Sequence, residues 1–218
     1  MTRVLVLNTG SSSLKYRLFD GSETVAKGLV EEVTDHQKAL QDVFTNEALE
    51  NLDAVGHRVV HGGPDFTEPT LIDDDVVRTI ERLIPLAPLH NPANLAGIET
   101  ARKLLPDVPQ VAVFDTAFHS TLPPAASTYA IDVETARANR VRRYGFHGTS
   151  HAYVSRRTAE LLGKSPEQTN VITLHLGNGT SGCAVEGGRS VATSMGLSPL
   201  EGLVMGTRSG SLDPAIVF

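Results

Sequence analysis

Two apolar runs separated by a polar turn open the chain. Positions 4–7 form the continuous run Val4-Leu5-Val6-Leu7, as in a strand buried on both faces, and positions 14–18 alternate apolar and basic, as in a half-buried partner strand. Between them lie Asn8, Gly10 and three serines, with Lys15 at the rim. Gly10 can take φ > 0 and let backbone N–H groups and serine hydroxyls converge on one point, a setting that suits phosphate. An ordinary Gly/Ser hairpin turn is the alternative. The pattern next predicts a third strand over 23–33, a helix over 35–49 capped by Asp35, and a strand over 54–60. Asp73, Asp74 and Asp75 precede a short helix over 76–84, where the helix dipole favours acids. Asn91 as cap and Pro92 in the first turn open a helix running to about Leu105. Positions 110–114 read as a buried strand, leaving Asp115 at its carboxyl end, where open α/β sheets bind ligands. A loop over 116–124, a helical stretch over 132–139 and a helix over 152–162, capped by Ser150 and stopped by Gly163, follow.

The segment 171–188 repeats the opening as strand, Gly/Ser turn and strand. Leu7-Asn8-Thr9-Gly10-Ser11-Ser12-Ser13 can be laid over Leu176-Gly177-Asn178-Gly179-Thr180-Ser181-Gly182. Two such hairpins heading duplicated domains would present two sets of donors to a nucleotide's phosphates, while chance likeness of two low-complexity turns is the other explanation. The expected division is 1–150 and 151–218. The second stretch is shorter than usually sustains its own core, and Ser211-Leu212-Asp213-Pro214 opens a helix near its end, so the sequence reads as truncated.

Composition narrows the function classes. A single cysteine, Cys183, excludes an internal disulfide and fits a reducing, cytoplasmic setting. No apolar stretch reaches membrane-spanning length and the first residues lack the layout of a secretory signal. The formal net charge of −6 argues against non-specific nucleic-acid binding, but a few local arginines can still attract a small anion.

Several residues could carry chemistry. Arg58, in His57-Arg58-Val59-Val60-His61-Gly62-Gly63, offers a bidentate partner for a carboxylate or phosphate, with the glycines leaving room; a surface ion pair is the alternative. Asp115 suits a general base, a charge that orients groups around a metal, or a turn cap. His147 and His151 stand four apart, but Gly148 between them, the missing glutamate and the lack of a third ligand argue against zinc. A histidine donating to a transferring phosphoryl group, or a satisfied core histidine, are the readings left for His147. Arg208, in the glycine-flanked and mobile-looking loop 205–210, suits neutralisation of transition-state charge. Ser12-Ser13-Leu14-Lys15 spells the serine-acylase pattern S-x-x-K, yet Lys15 enters a strand pattern where the two side chains would not meet. Neither a P-loop nor a strand-G-x-G-x-x-G unit occurs.

Seven blocks, in order, resemble the acetate kinase family: Asn8-Thr9-Gly10-Ser11-Ser12-Ser13-Leu14-Lys15, 57–63, Leu86-Ala87-Pro88-Leu89-His90-Asn91-Pro92, Phe114-Asp115-Thr116-Ala117-Phe118-His119, 144–151, His175-Leu176-Gly177-Asn178-Gly179 and 205–213. The resemblance implies an α/β fold of the actin, Hsp70 and sugar-kinase type (ribonuclease H-like), with duplicated βββαβαβα domains around a cleft and the second domain incomplete. It implies reversible phosphoryl transfer from ATP to acetate, giving ADP and acetyl phosphate, with Mg²⁺ and in a homodimer. Motif by motif, Asn8 would help hold the metal and Lys15 would meet the nucleotide phosphates. Arg58 would bind the substrate carboxylate, and Val60, Leu89 and Pro199 would line a pocket for its methyl group. Asp115 would be the catalytic acid, and His147 and Arg208 would stabilise the transition state. His175, Leu176, Gly177, Asn178 and Gly179 would form the second phosphate loop. Propionate or butyrate kinase is the near alternative, since one methylene in an apolar pocket is worth only ~1–3 kcal/mol. A non-catalytic binding or assembly fragment is the alternative from another class.

Overall fold

The computed structural model of the chain describes residues 2–10, 12–33, 35–46 and 51–217. Strand β1 (Arg3–Thr9) pairs antiparallel with β2 (Ser13–Asp20), and β2 with β3 (Glu23–Glu31). Helix α1 (His36–Asn46) follows, with the Asp35 carboxylate accepting from Lys38 N at 3.0 Å as the cap pattern requires. Positions 47–49 of the expected helix lie outside the described residues, as does Ser11 of the opening turn. Strand β4 (Ala54–Val59) then runs parallel to β1, and β6 (Gln110–Phe114) parallel to β4. Between them come the two-residue edge strand β5 (Thr70–Leu71), helix α2 (Asp74–Arg82) and helix α3 (Asn91–Leu104). The sheet order is β3-β2-β1-β4-β6-β5. Asp73 caps α2 through Val76 N, and Asp74 and Asp75 occupy its first turn.

Helices cover one face of this sheet. Leu5 and Leu7 of β1, Leu14 and Leu18 of β2 and Val55 of β4 form a core with Ala39, Leu40 and Val43 of α1 and Ala101 of α3. Burying each leucine there contributes roughly 1.5–3 kcal/mol. The expectation that β1 is buried on both faces is corrected: Val6, between two fully buried leucines, is 37% exposed. The pleat sends alternate residues to opposite faces, and the core cluster collects only one set. Gly10 does not use the left-handed freedom open to it. It is not among the glycines at positive φ, and its N–H donates to Ser13 O at 2.7 Å, so the turn itself consumes that donor.

The rest of the chain follows as α4 (Pro124–Ser127), α5 (Val133–Ala138), α6 (Gly148–Leu161) and the antiparallel strands β7 (Val171–Leu176), β8 (Thr180–Glu186) and β9 (Arg189–Thr193), in the order β7-β8-β9. The stretch expected as a loop over 116–124 carries a 3₁₀ turn, Ala117–Thr121, and the start of α4. Helix α6 begins earlier than expected, at Gly148, with His147 as its cap residue; Ser150 lies inside the helix. Gly163, at φ +64°, ends α6 as anticipated. Two compact units divide the chain: Met1–Gly62 with Glu68–Phe114, and Gly63–Thr67 with Asp115–Phe218. Thus 115–150 packs with the later strands, as where Tyr144 and Gly145 N–H both meet Gly196 O at 3.1 Å.

His57 of β4 is buried, with Nε2 2.8 Å from Gln110 Oε1. Burial pushes its pKa down from 6.5 to about 4. The unfolded chain therefore takes up this proton first on acidification, and stability falls from about pH 6.5 and levels off below about pH 4. The expected loss from this group is about 3 kcal/mol. Urea unfolding of the first unit, followed across that range, should show this loss shrinking by a similar amount in His57→Gln.

Candidate functional site

In the first unit the site is built where strands end. A finished strand leaves backbone amides and carbonyls without ladder partners, and buried ones must find others. Helix α3 supplies them. Asn94 Nδ2 donates to Thr9 O at 2.6 Å and its Oδ1 accepts from Val60 N at 3.0 Å. One turn earlier, Asn91 Nδ2 donates to His61 O at 3.0 Å and Oδ1 accepts from His61 N at 3.2 Å. Both asparagines are buried. Asn91 was expected to cap the helix; instead its amide is spent on the strand end, and the cap position falls to His90, without a side-chain bond. Asn94 carried no motif and sequence reasoning passed over it. Close approach is secured by Gly97, where a Cβ would lie 2.4 Å from Thr9 Oγ1.

With Thr9 turned inward, Asn8 faces the other side of the sheet. Its cross-strand partner there is Lys15, and Arg58 donates Nη1 to Asn8 Oδ1 at 3.2 Å. Asn8, Lys15 and Arg58 thus meet on one face, as three of the predicted site residues. Beside them runs a groove of about 420 Å³ lined by Val6, Lys15, Arg17, Lys27 and Leu29 among others. Its cations come from alternate positions of β2 and β3, so an anion would meet a positive strip. Val60 is held through its N–H at the same strand end, and Leu89, 76% exposed, sits in the turn before α3.

In the second unit Asp115 O accepts from Gly148 N at 2.8 Å, which ties Asp115 to the start of α6. A Cβ on Gly148 would stand 2.3 Å from that oxygen, so only glycine fits. His147 at φ +58° makes the sharp entry to the helix. Its Nδ1 lies 2.8 Å from Ser181 Oγ, and the buried His151 brings Nε2 to the same oxygen at 2.8 Å. Gly148 is helical and does not separate the two histidines; they are one turn apart, and both meet the serine hydroxyl. His175 stacks on His147 with ring centroids 4.0 Å apart, and its Nδ1 lies 2.9 Å from Ser150 Oγ. Ser150, expected as a cap, is thereby a site residue, and Ser181, noted only as part of the repeated turn, and Thr173, which carried no motif, join it.

The loop 177–179 follows His175 and Leu176, which is 74% exposed. A Cβ on Gly179 would lie 3.1 Å from His147 Cε1 and 3.6 Å from Arg208 Nη1, so an imidazole and a guanidinium flank this glycine. Arg208 is not on an open loop. Its Nη1 donates to Pro199 O at 2.7 Å, and its carbonyl accepts from Met205 N at 3.0 Å. Arg143 braces the segment before it, donating to Ser194 O and Met195 O at 3.2 and 3.0 Å and pairing with Glu201. Tyr129 O–H bonds the same carboxylate, and burial together with that bond pushes its phenol pKa up. His147, His175, Gly177, Asn178, Gly179, Pro199 and Arg208 therefore belong to one neighbourhood, with Asp115 joined through Gly148. Among the described residues no group of three or more His, Cys, Asp or Glu is placed to hold a metal, and no helix is long and apolar enough to cross a membrane.

A mixed sheet opened by three antiparallel strands and continued by parallel ones with covering helices is an α/β architecture of the actin-like type. The chain belongs to the acetokinase family, whose profile matches residues 33–218. It is 60% identical to an acetate kinase of Streptomyces avermitilis over 250 residues, an overlap covering all of this chain and 62% of that protein. An acetate kinase structure from Porphyromonas gingivalis superposes with a TM-score of 0.94 at 41% identity, covering all of this chain and 63% of that one. A propionate kinase from Francisella tularensis gives 0.91 at 44% identity, with the same coverage. The chain thus spans somewhat under two thirds of the relatives it matches.

Removing Asn94 tests how the cluster in the first unit is held. Asn94→Ala strips partners from Thr9 O and Val60 N and should cost about 2–4 kcal/mol. Asn94→Asp, which keeps the acceptor for Val60 but sets a buried carboxylate oxygen against the Thr9 carbonyl, should cost at least as much near neutral pH, as read by denaturant unfolding.

Proposed function

We propose that the protein of which this chain forms all or part is an acetate kinase, transferring the γ-phosphoryl group of ATP to acetate and running in reverse from acetyl phosphate and ADP. A carboxylate oxygen of acetate attacks phosphorus as the bond to the β-bridging oxygen breaks. The acceptor is already an anion, so no general base has to remove a proton from it. Of the roles open to Asp115, orienting the reacting groups is therefore favoured over proton abstraction. The observation that carries the reading is the convergence of His147 and Arg208 on Gly179, which offers positive charge and hydrogen-bond donors where a phosphoryl group would need them. Loop 177–179 with His175 and Leu176 is assigned to the nucleotide phosphates, as is Lys15. Arg58, held by Asn8, is assigned to the substrate carboxylate, and Val60, Leu89 and Pro199 to its methyl group.

Magnesium fits this donor set only in part. It prefers oxygen ligands and keeps several waters. Asn8 Oδ1 has a second lone pair beyond the bond from Arg58, so it can offer one oxygen, and the rest must come from phosphates and water. The ion supplies charge neutralisation on the transferring phosphates. We assign the protein to the cytoplasm, in keeping with its lone buried cysteine, and to a homodimer, by likeness to its family.

The similarity to the Francisella tularensis propionate kinase supports a second reading, in which propionate is the preferred acceptor. Acyl phosphate formed from Mg-ATP and each acid, trapped as its hydroxamate, decides between the two; acetate is expected to give the higher kcat/KM. Arg208→Ala should lower acetyl phosphate formation by about 10²–10³-fold, far more than the small loss of stability expected from removing its bond to the Pro199 carbonyl. Nucleotide binding without acyl phosphate would retain only the nucleotide-binding part of the proposal, and no nucleotide binding would overturn it.

A further inference from the structure

His147, Ser181, His151 and Thr173 form an unbroken line of hydrogen-bonding groups: His147 Nδ1 to Ser181 Oγ, Ser181 Oγ to His151 Nε2, and His151 Nδ1 to Thr173 Oγ1, each at 2.8 Å. Ser181, His151 and Thr173 are all buried, so their hydrogens must be distributed among these partners. The direction is set at the far end. Thr173 O–H donates to the Cys183 carbonyl, 3.4 Å away, and a carbonyl can only accept. Thr173 Oγ1 is then the acceptor for His151 Nδ1–H. Burial, with the neighbouring imidazoles, holds the His151 pKa down at about 3, so its ring is neutral and has one hydrogen. With that hydrogen on Nδ1, Nε2 must accept from Ser181 O–H. A serine hydroxyl has a single hydrogen, which leaves Ser181 Oγ only as acceptor towards His147 Nδ1–H.

We propose that Ser181 and His151 are positioning residues that fix the hydrogen of neutral His147 on Nδ1 and present its Nε2 as the acceptor nitrogen. His147 then donates from Nε2 only as the imidazolium, while its Nδ1–H stays on Ser181. In the phosphoryl transfer proposed above, the donor form would be the charged one, which matches charge developing on equatorial phosphoryl oxygens. That consequence rests on the acetate kinase reading; the position of the hydrogen does not.

The test reads the hydrogen directly. Long-range ¹H–¹⁵N spectra of the 218-residue chain, taken at a pH where the ring is neutral and assigned by the signal lost in His147→Gln, distinguish a protonated from an unprotonated ring nitrogen. Protonated Nδ1 and unprotonated Nε2 are expected for His147. The reverse pattern, or an even mixture, would overturn the proposal. In His151→Phe the Ser181 hydrogen loses its acceptor and should turn to His147 Nδ1, moving the ring hydrogen to Nε2. His151→Gln, whose side-chain carbonyl can still accept from Ser181, should restore the original pattern. An unchanged His147 in a folded His151→Phe would remove His151 from the assignment. Should that variant not fold, Ser181→Ala serves, with loss of the Nδ1 preference expected and its retention overturning the role of Ser181. Because no turnover is needed, a chain that binds no nucleotide still reports on the relay, and the two proposals fail separately.

Discussion

Two buried carboxamides at the start of α3 are the constraint on which the first unit's site depends. Asn91 and Asn94 complete the hydrogen bonding of Thr9, Val60 and His61 where β1 and β4 give out. Without them, the strand ends would have to bond to water and could not be covered by a helix. With them, α3 closes against β1 through Gly97, Thr9 is locked inward, and pleat alternation turns Asn8 outward to meet Arg58 and Lys15. The anion-receptive face is thus a consequence of satisfying backbone groups on the opposite face.

The second unit solves the same kind of problem with hydroxyls and imidazoles. Here Ser181, Thr173 and Ser150 hold the ring nitrogens of His147, His151 and His175, while Gly148 lets the Asp115 carbonyl close on the start of α6. Each ring is held at Nδ1, and His151 at both nitrogens, which fixes the ring planes. The arginine side is equally constrained, since the Pro199 carbonyl and the Met205–Arg208 turn fix Arg208, and the Arg143–Glu201–Tyr129 cluster braces the preceding segment. Such bracing lowers the ordering cost of meeting a ligand.

Local patterns were legible where a single segment decides the outcome. The alternation in β2, the cap at Asp35, the acids in the first turn of α2, the stop at Gly163 and the strand 110–114 all express neighbour-to-neighbour preferences, and the structure bears them out. Misreadings arose where a side chain had two possible partners. Asn91 and Ser150 both suit a helix cap, yet one bonds a strand end and the other a histidine 25 positions away. Gly10 suits a left-handed turn, yet its amide bonds Ser13 without one.

By itself the sequence determined most of the element types, the two hairpins with their Gly/Ser turns, the charged residues available for an anion, and membership of the acetokinase family through ordered motifs. Periodicity, capping and motif order are properties of adjacent residues, so they survive without coordinates. Only the tertiary structure decided that one face of β1 stays exposed, that Asn94 and Ser181 belong to the site, and which histidine nitrogens are engaged. These depend on partners dozens of residues apart, as in the 85-residue separation of Thr9 and Asn94. A hydroxyl or carboxamide carries no periodic signal of where its bond will go; the packing of helix on strand chooses its partner.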